Sequence, residues 1–445
     1  MTSPEALRTP ALVQTLQLVA NPIRFFQSCQ REYGDRFSTR VLGFNSPPVI
    51  FLGNPNDIKA VFTAPPGQFA LGKITHVFRP FTGDRSLIML DGEEHQRARK
   101  LLMPPFHGDR MKLYGDIICS ITQSVIEQFP QQKPFAIRPF LSDITLQVIL
   151  AVVFGVKPGK RYEELKSRIN DLLETITNPF YSSLFFFPPL QLDFGSWSPW
   201  GYFVRQQEAI DRLIYEEISD RRQEDYTKSN DILSLLMSAR DESGEAMTDV
   251  ELRDQLITLL FLGHETTASS LAWALYWIYS SPNVLDKLTF ELNALEDKTD
   301  PNAIANLPYL NAVCSETLRL YPIALISQPR VVQNTVKLEK HSYEPETILV
   351  PCIYLAHHRE ETFPNSLEFK PERFLERKFT PYEYFPFGGG TRACIGGAFS
   401  MYEMKLILGT ILSHCNLKLA KQAPIKPIRR GITIVPSGGV KMIEN

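Results

Sequence analysis

The residues best suited to chemistry stand in one short stretch, Phe387-Gly388-Gly389-Gly390-Thr391-Arg392-Ala393-Cys394-Ile395-Gly396. It sets one cysteine in a glycine-rich loop. From Ser400 apolar residues recur at helical spacing, so Cys394 is expected just ahead of a helix N-terminus. Unpaired amides and the positive end of the helix dipole favour an anion there. That setting lowers a thiol's pKa and yields the thiolate, the form that ligates metal. The flanking glycines let the backbone approach a bulky planar group closely. Arg392 can reach an acidic edge of such a group. A second pair of reactive types is Glu265 and Thr266, an acid beside an alcohol, in Leu260-Phe-Leu-Gly-His-Glu-Thr-Thr-Ala268. A glycine and an ionisable glutamate amid apolar helix are costly unless used. Gly263, lacking a side chain, would let a flat ligand near the helix.

The elements that must position these residues are legible in part. Thr248-Asp-Val-Glu251 is a capping box, and no proline follows until Pro282. One helix is therefore expected over 249–280, about 48 Å long at 1.5 Å per residue. Residues 1–35 read as two short amphipathic helices, the second starting at Pro22. Residues 36–41 and 48–52 read as strands joined through Gly43-Phe-Asn-Ser. A short helix over 56–63 precedes an apolar loop over 65–83, which carries Phe69, Leu71, Phe78 and Phe81. A helix begins at Asp91; on it His95 and Arg99 share a face, which suits an anionic partner. Helix follows helix over 111–240, broken by the apolar, proline-rich 178–200, which is too short to span a membrane. Leu307-Pro308 opens a helix to Leu320, with Glu316 and Arg319 on one face. Short strands are expected over 331–338 and 347–354. Residues 428–443 read as a hairpin turned by Ser437-Gly438-Gly439.

Size and composition exclude several classes. The chain has 445 residues, 44% hydrophobic and 22% charged, a soluble globular mix. Its net charge of −2 gives no overall attraction to nucleic acid or anionic membrane. The six cysteines form no C-x-x-C pair, which argues against a zinc knuckle or thioredoxin motif. They are too dispersed for a disulfide framework, so a reducing compartment is expected. The N-terminus shows neither a signal core nor an 18-residue apolar span. Although length alone suggests about three domains, the site residues come from distant parts of the chain, so a single domain over 1–445 is expected.

The chain resembles the cytochrome P-450 superfamily of haem-thiolate monooxygenases. The family's signature around its cysteine is met by Phe387, Gly390, Arg392, Cys394 and Gly396. Its oxygen-activation helix is met by Gly263, Glu265, Thr266 and Thr267, with Leu262 where a small residue is usual. Its Glu-x-x-Arg, followed by the arginine of Pro-Glu-Arg-Phe and then the cysteine loop, is met in order by Glu316, Arg319, Arg373 and Cys394. The resemblance implies a mainly α fold with a small mixed β-sheet near the N-terminus and β-hairpins near the C-terminus. It implies haem b between the 249–280 helix and the cysteine loop, with Cys394 as axial thiolate and Phe387 and Gly263 against the cofactor. His95, Arg99, Arg330 and Arg392 would anchor its propionates. Ile323, Leu325 and Ile326 would line an apolar pocket, and the loop over 65–83 would act as a lid. Glu316, Arg319 and Arg373 would brace the cysteine loop. Glu265 and Thr266 would relay protons as O2 is activated and a C–H bond of a long-chain fatty acid, terpenoid or retinoid-like molecule is hydroxylated. Electrons would come from ferredoxin and ferredoxin reductase, with Arg97 and Lys100 on the face that docks an acidic donor. Lacking the apolar span of anchored members, the chain is expected to be a soluble, cytoplasmic, bacterial-type monomer. Rival readings are a haem-binding or sensing protein without turnover, a helical interaction protein with a structural cysteine, and a peroxide-driven family member.

Overall fold

The computed structural model describes residues 5–41, 46–71, 73–156, 159–177, 185, 191–223, 225–226, 229–338, 341–431 and 433–444. Helices dominate, with short strands grouped in four small sheets. The chain divides into two compact units, each assembled from distant segments. One holds residues 1–74, 308–397 and 425–437; the other holds 75–307, 398–424 and 438–445.

The first unit is built on a five-stranded mixed sheet. Its strands lie in the order Arg36–Thr39, Val49–Leu52, Ile348–Pro351, Arg330–Val332 and Phe69–Ala70. Val49–Leu52 pairs antiparallel with Arg36–Thr39 and parallel with Ile348–Pro351, so neighbouring strands come from segments nearly 300 residues apart. Both central strands read as continuous apolar runs because both faces are covered. On one face Phe26, Phe37, Phe51, Tyr354 and Leu355 form a core; on the other, Leu52, Ile58, Leu349 and Phe385 form a second. The helices Ala11–Ala20 and Pro22–Tyr33 precede the sheet as expected, the second opened by Pro22 and capped by the Asn21 side chain. Residues 43–45 of the expected connection lie outside the described residues. The expected loop over 65–83 is more ordered than its sequence implies. Phe69–Ala70 adds to the sheet edge against Val331 and Val332, and helical turns occupy Lys73–Phe78 and Arg79–Thr82.

The second unit is organised on the helix Asp249–Ser280. Its ends fall where the local signals put them. Thr248 and Glu251 form the reciprocal capping box, and Ser281 ends the helix ahead of Pro282. Twenty-two of its 32 residues are buried, which explains why its sequence carries no clear polar face. It packs along Arg138–Phe154, another helix buried nearly all round.

The C-terminal strands differ from expectation. Pro427–Arg430 pairs with Thr433–Pro436, so the hairpin turns at Gly431. Gly438 and Gly439 do turn the chain, both at positive φ, but Lys441–Glu444 then joins Leu417–Leu419 and Phe135–Ala136 in a separate sheet. Most of the apolar 178–200 segment lies outside the described residues.

Candidate functional site

The cysteine loop is closed by its own backbone. Gly388 N–H donates to Phe385 O at 2.9 Å, Ala393 N–H to Gly390 O at 3.2 Å, and Cys394 N–H to Phe387 O at 2.9 Å. The helix Gly397–His414 starts three residues after Cys394, so the thiol stands at a helix N-terminus as the sequence implies. Close approach explains two of the glycines. A Cβ on Gly389 would run into the Phe62 ring, and one on Gly390 would lie 2.5 Å from Phe62 O. Phe387 backs the loop, its ring 3.0 Å from where a Cβ on Gly397 would stand. Of the six cysteines Cys394 alone is exposed. Burial pushes the thiols of Cys29, Cys352 and Cys415 up to about 12, which leaves them inert as metal ligands at neutral pH.

A buried polar network reaches this loop. Glu316 accepts from Arg319 Nε at 2.7 Å and Nη2 at 2.9 Å, from Arg373 Nε at 3.0 Å, and from Lys370 N–H at 2.8 Å. All three charged side chains are buried, as expected from their order in the sequence. Arg319 Nη1 also donates to His357 O at 2.8 Å, and His357 Nε2 accepts Phe385 N–H at 3.0 Å. The chain of contacts thus runs from Glu316 to the residue that opens the cysteine loop. Sequence reasoning missed His357. Only the adjacent pair His357-His358 is visible there, and nothing local marks one ring as an acceptor for a backbone amide 28 residues away.

Arg330 begins a sheet strand and is buried. Its guanidinium donates to Gln328 O at 2.5 Å and, from Nη2, to Gly389 O at 3.5 Å, so it lies against the cysteine loop. Arg392 is half-buried on the 3₁₀ turn just before Cys394. His95 and Arg99 sit one turn apart on Gly92–Leu102, in the other unit, His95 buried and Arg99 half-buried. Arg97 is already engaged, by Asp241 Oδ2 at 2.5 Å and Glu251 Oε1 at 2.7 Å, which fix this helix to the start of Asp249–Ser280. Lys100 is exposed beside Glu242. Leu325 packs into the first unit's core and Ile326 is exposed, so these two do not face a common pocket.

On the long helix, Glu265 and Thr266 take different partners. Glu265 is buried and ion-paired with Arg138 of the neighbouring helix. The Thr266 hydroxyl donates to Leu262 O at 2.7 Å. Gly263 was expected to open the helix to a flat ligand. The space its missing side chain leaves is taken by Ile149, whose Cδ1 lies 2.5 Å from where a Cβ would stand. Thr267 Oγ1 donates to Gly263 O at 3.0 Å and lies 3.2 Å from Ser400 Oγ.

The family profile for cytochrome P450 matches residues 4–442. The chain belongs to the cytochrome P450 family. Relatives named cytochrome P450 135B1 in Mycobacterium tuberculosis and Mycobacterium bovis are 34% identical over 440 residues, covering 99% of this chain and 90% of theirs. Cytochrome P450 138 of Mycobacterium tuberculosis is 31% identical over 441 residues, covering 99% of this chain and 96% of its own. The solved structure of a retinoic acid-bound cyanobacterial CYP120A1 superposes with a TM-score of 0.84 at 24% identity, covering 99% of each chain, and so shares the fold. The residues present fit the P450 cofactor: one exposed thiol on a glycine loop at a helix N-terminus, with a buried arginine against that loop. As a P450, the protein binds haem b through a cysteine thiolate, and Cys394 is the residue that would hold it. It is an oxidoreductase of the monooxygenase class that uses O2 and redox partners. Among the described residues no helix is long and apolar enough to cross a membrane.

Proposed function

We propose that this P450 hydroxylates a C–H bond of a long apolar molecule, such as a fatty acid, terpenoid or retinoid-like compound, with electrons from ferredoxin and ferredoxin reductase. The observation that carries the substrate class is an aromatic wall beside the middle of Asp249–Ser280. Phe81 packs edge-on against Phe78, Phe185 and Phe261 at 5.5–5.8 Å between centroids, four residues ahead of Glu265. Trp200 and Phe203 extend the wall through Phe185. Aromatic surface of this kind favours apolar ligands over charged ones. The retinoic acid held by the solved cyanobacterial relative supports the same class.

The haem, when bound to Cys394, supplies O2 activation, and the thiolate favours O–O cleavage. The chain's own residues then have distinct tasks. The helix N-terminus behind Cys394 favours the thiolate over the thiol. Arg330, Arg392 and Arg99 would meet the propionates by charge-assisted hydrogen bonds, and His95 by a ring N–H. Thr266 spends its proton on Leu262 O, and its oxygen keeps the capacity to accept from a water. Glu265, ion-paired with Arg138, would relay a proton by accepting it and passing it on to Thr266 and its water. Arg97 is spent on Asp241 and Glu251, so of the two cations Lys100, paired with Glu242 on the exposed surface, is the one that would meet an acidic donor.

The test is turnover of the purified holoprotein with ferredoxin, ferredoxin reductase, NADPH and a panel of fatty acids, terpenoids and retinoids. A hydroxylated product with matching O2 use is expected. Thr266→Ala should keep NADPH consumption and lose product. The absence of both product and spectral shift across the panel would sink the substrate class; unchanged coupling in Thr266→Ala would remove the relay role.

A further inference from the structure

The helix Ala11–Ala20 turns most of its large apolar side chains outward, with Leu18 alone of them packed on the core. Its one deeply buried side chain is polar: Gln14, 3% exposed, donates to Thr9 O at 2.6 Å and accepts Arg40 N–H at 2.9 Å. Leu12, Leu16 and Val19 are 58%, 60% and 50% exposed. At spacings of four and three residues they form one outward ridge, which Val13 borders. No residue of the helix is charged. A helix folded only against its own core shows the reverse pattern.

The surroundings of the ridge are basic. From Ala6 to Arg31 the chain has no aspartate or glutamate, while Arg8, Arg24 and Arg31 are exposed. Glu5 and Glu32 bracket that stretch. A second acid-free segment comes to the same place. The hairpin Pro427–Arg430 and Thr433–Pro436 meets the end of the helix where Arg429 Nη1 donates to Val19 O at 3.0 Å. It brings Lys426, Arg429 and Arg430, and the exposed Ile428. Six cations and no acid thus lie in these two stretches of a chain whose net charge is −2.

We propose that this face is a peripheral docking surface for a lipid bilayer bearing anionic headgroups. Leu12, Leu16, Val19 and Ile428 enter the headgroup–acyl boundary, and the flanking arginines and lysine meet the headgroup phosphates. A helix with an outward apolar stripe lies in the plane of the interface, and its ten residues are far too few to span. Each cation near an anionic surface strengthens partitioning about fivefold. A second copy of the chain fits less well. A twofold contact would set this cationic rim against its own like charges, whereas anionic lipid neutralises them.

The experiment is cosedimentation of the full-length holoprotein with vesicles of phosphatidylcholine, alone or mixed with phosphatidylglycerol. Binding to the mixed vesicles is expected, weak or absent on the neutral ones, and falling as salt is raised. Leu12→Gln, Leu16→Gln and Val19→Gln together should lower partitioning at least tenfold, on the order expected from the apolar area withdrawn. These side chains are exposed, so the circular dichroism of the variant should match the parent. If it does not, Arg8→Gln with Arg24→Gln carries the test, with severalfold weaker binding and a shallower salt dependence. The proposal fails if the parent stays in the supernatant with mixed vesicles, if neutral vesicles bind equally, or if the tested variant sediments like the parent. It also fails if light scattering shows a dimer that the apolar variant dissolves.

Discussion

The backbone N–H of Phe385 donates to His357 Nε2 at 3.0 Å, and this bond connects the buried ion-pair network to the cysteine loop. Arg319 grips His357 by its carbonyl, while the ring grips the chain two residues before Phe387, whose own carbonyl receives Cys394 N–H. The acceptor role requires a neutral ring. Burial, then electrostatic interaction with His358 and Arg319, holds His357 well below the usual histidine range. The Glu316–Arg319 pair therefore does more than tie a helix to a loop. It fixes the carbonyl of a residue whose ring fixes the ligand loop.

Replacing His357 by Phe should leave the Phe385 N–H buried and unpaired, at a cost of about 1–3 kcal/mol. His357→Gln, which offers an amide oxygen, should recover part of it. The pH dependence has a definite sign. A depressed histidine contributes stability that is present above its unfolded pKa of 6.5 and is lost as pH falls through the folded value. His358, lowered to about 3 mainly by burial, adds in the same direction. Urea titrations of parent and His357→Gln below about pH 6.5 should converge as pH falls.

Glu316→Gln should be among the most damaging single changes in this unit. Among the described residues the carboxylate is the one ionic partner of Arg319, and it shares its Oε1 with Arg373, all three being buried. Removing one member of such a network leaves uncompensated charge and costs about 3–5 kcal/mol. Thermal melting together with haem content would check it. Loss of less than about 1 kcal/mol would mean that the carbonyls of His357, Ser366 and Glu368 suffice to hold Arg319.

Glu403 predicts a pH effect of opposite sign. It lies on Gly397–His414, 1% exposed, and Oε1 has no hydrogen-bond partner among the described residues. Burial pushes its carboxyl up to about 8, partly opposed by a hydrogen bond with Thr267. The folded protein thus keeps a proton that the unfolded chain has released. This stability is full below the unfolded value of 4.5 and is lost as pH rises through about 8. The loss is up to about 1.4 kcal/mol per pH unit. Glu403→Gln cannot titrate, so its melting temperature should fall less than the parent's between about pH 5 and pH 8. Parallel curves would show that the carboxyl ionises in place.

What the sequence made legible was what local signals carry. The ends of Asp249–Ser280 are set by a capping box and a proline, both within a few residues of the boundary. The cysteine loop is a contiguous motif, and Glu316, Arg319 and Arg373 were recoverable from their order along the chain. Features that depend on remote partners were not. Gly438 and Gly439 turn the chain as their type implies, yet the strand that follows leaves for Leu417–Leu419, which no local pattern specifies. Gly263 has the sequence of a ligand-approach glycine, but Ile149, more than 100 residues earlier, fills the space beside it. The Glu265 and Thr266 side chains are adjacent in sequence and diverge in space because successive residues on a helix point about 100° apart.

The glycines of the cysteine loop separate into two kinds, and paired substitutions should distinguish them. Gly390 has φ +65°, in the left-handed region, and a Cβ there would lie 2.5 Å from Phe62 O and 3.1 Å from Phe62 Cα. Those are backbone atoms, which cannot rotate aside. Gly390→Ala should therefore cost at least about 2 kcal/mol, from the backbone conformation and the contact together. A Cβ on Gly396 meets no protein atom within 4 Å. Gly396→Ala should shift the melting of haem-free protein by about 0.5 kcal/mol or less. If the same variant then binds haem more weakly at unchanged haem-free stability, Gly396 is bare for the cofactor's sake, whereas Gly390 is bare for the fold's. Equal losses of haem-free stability in the two variants would remove that distinction.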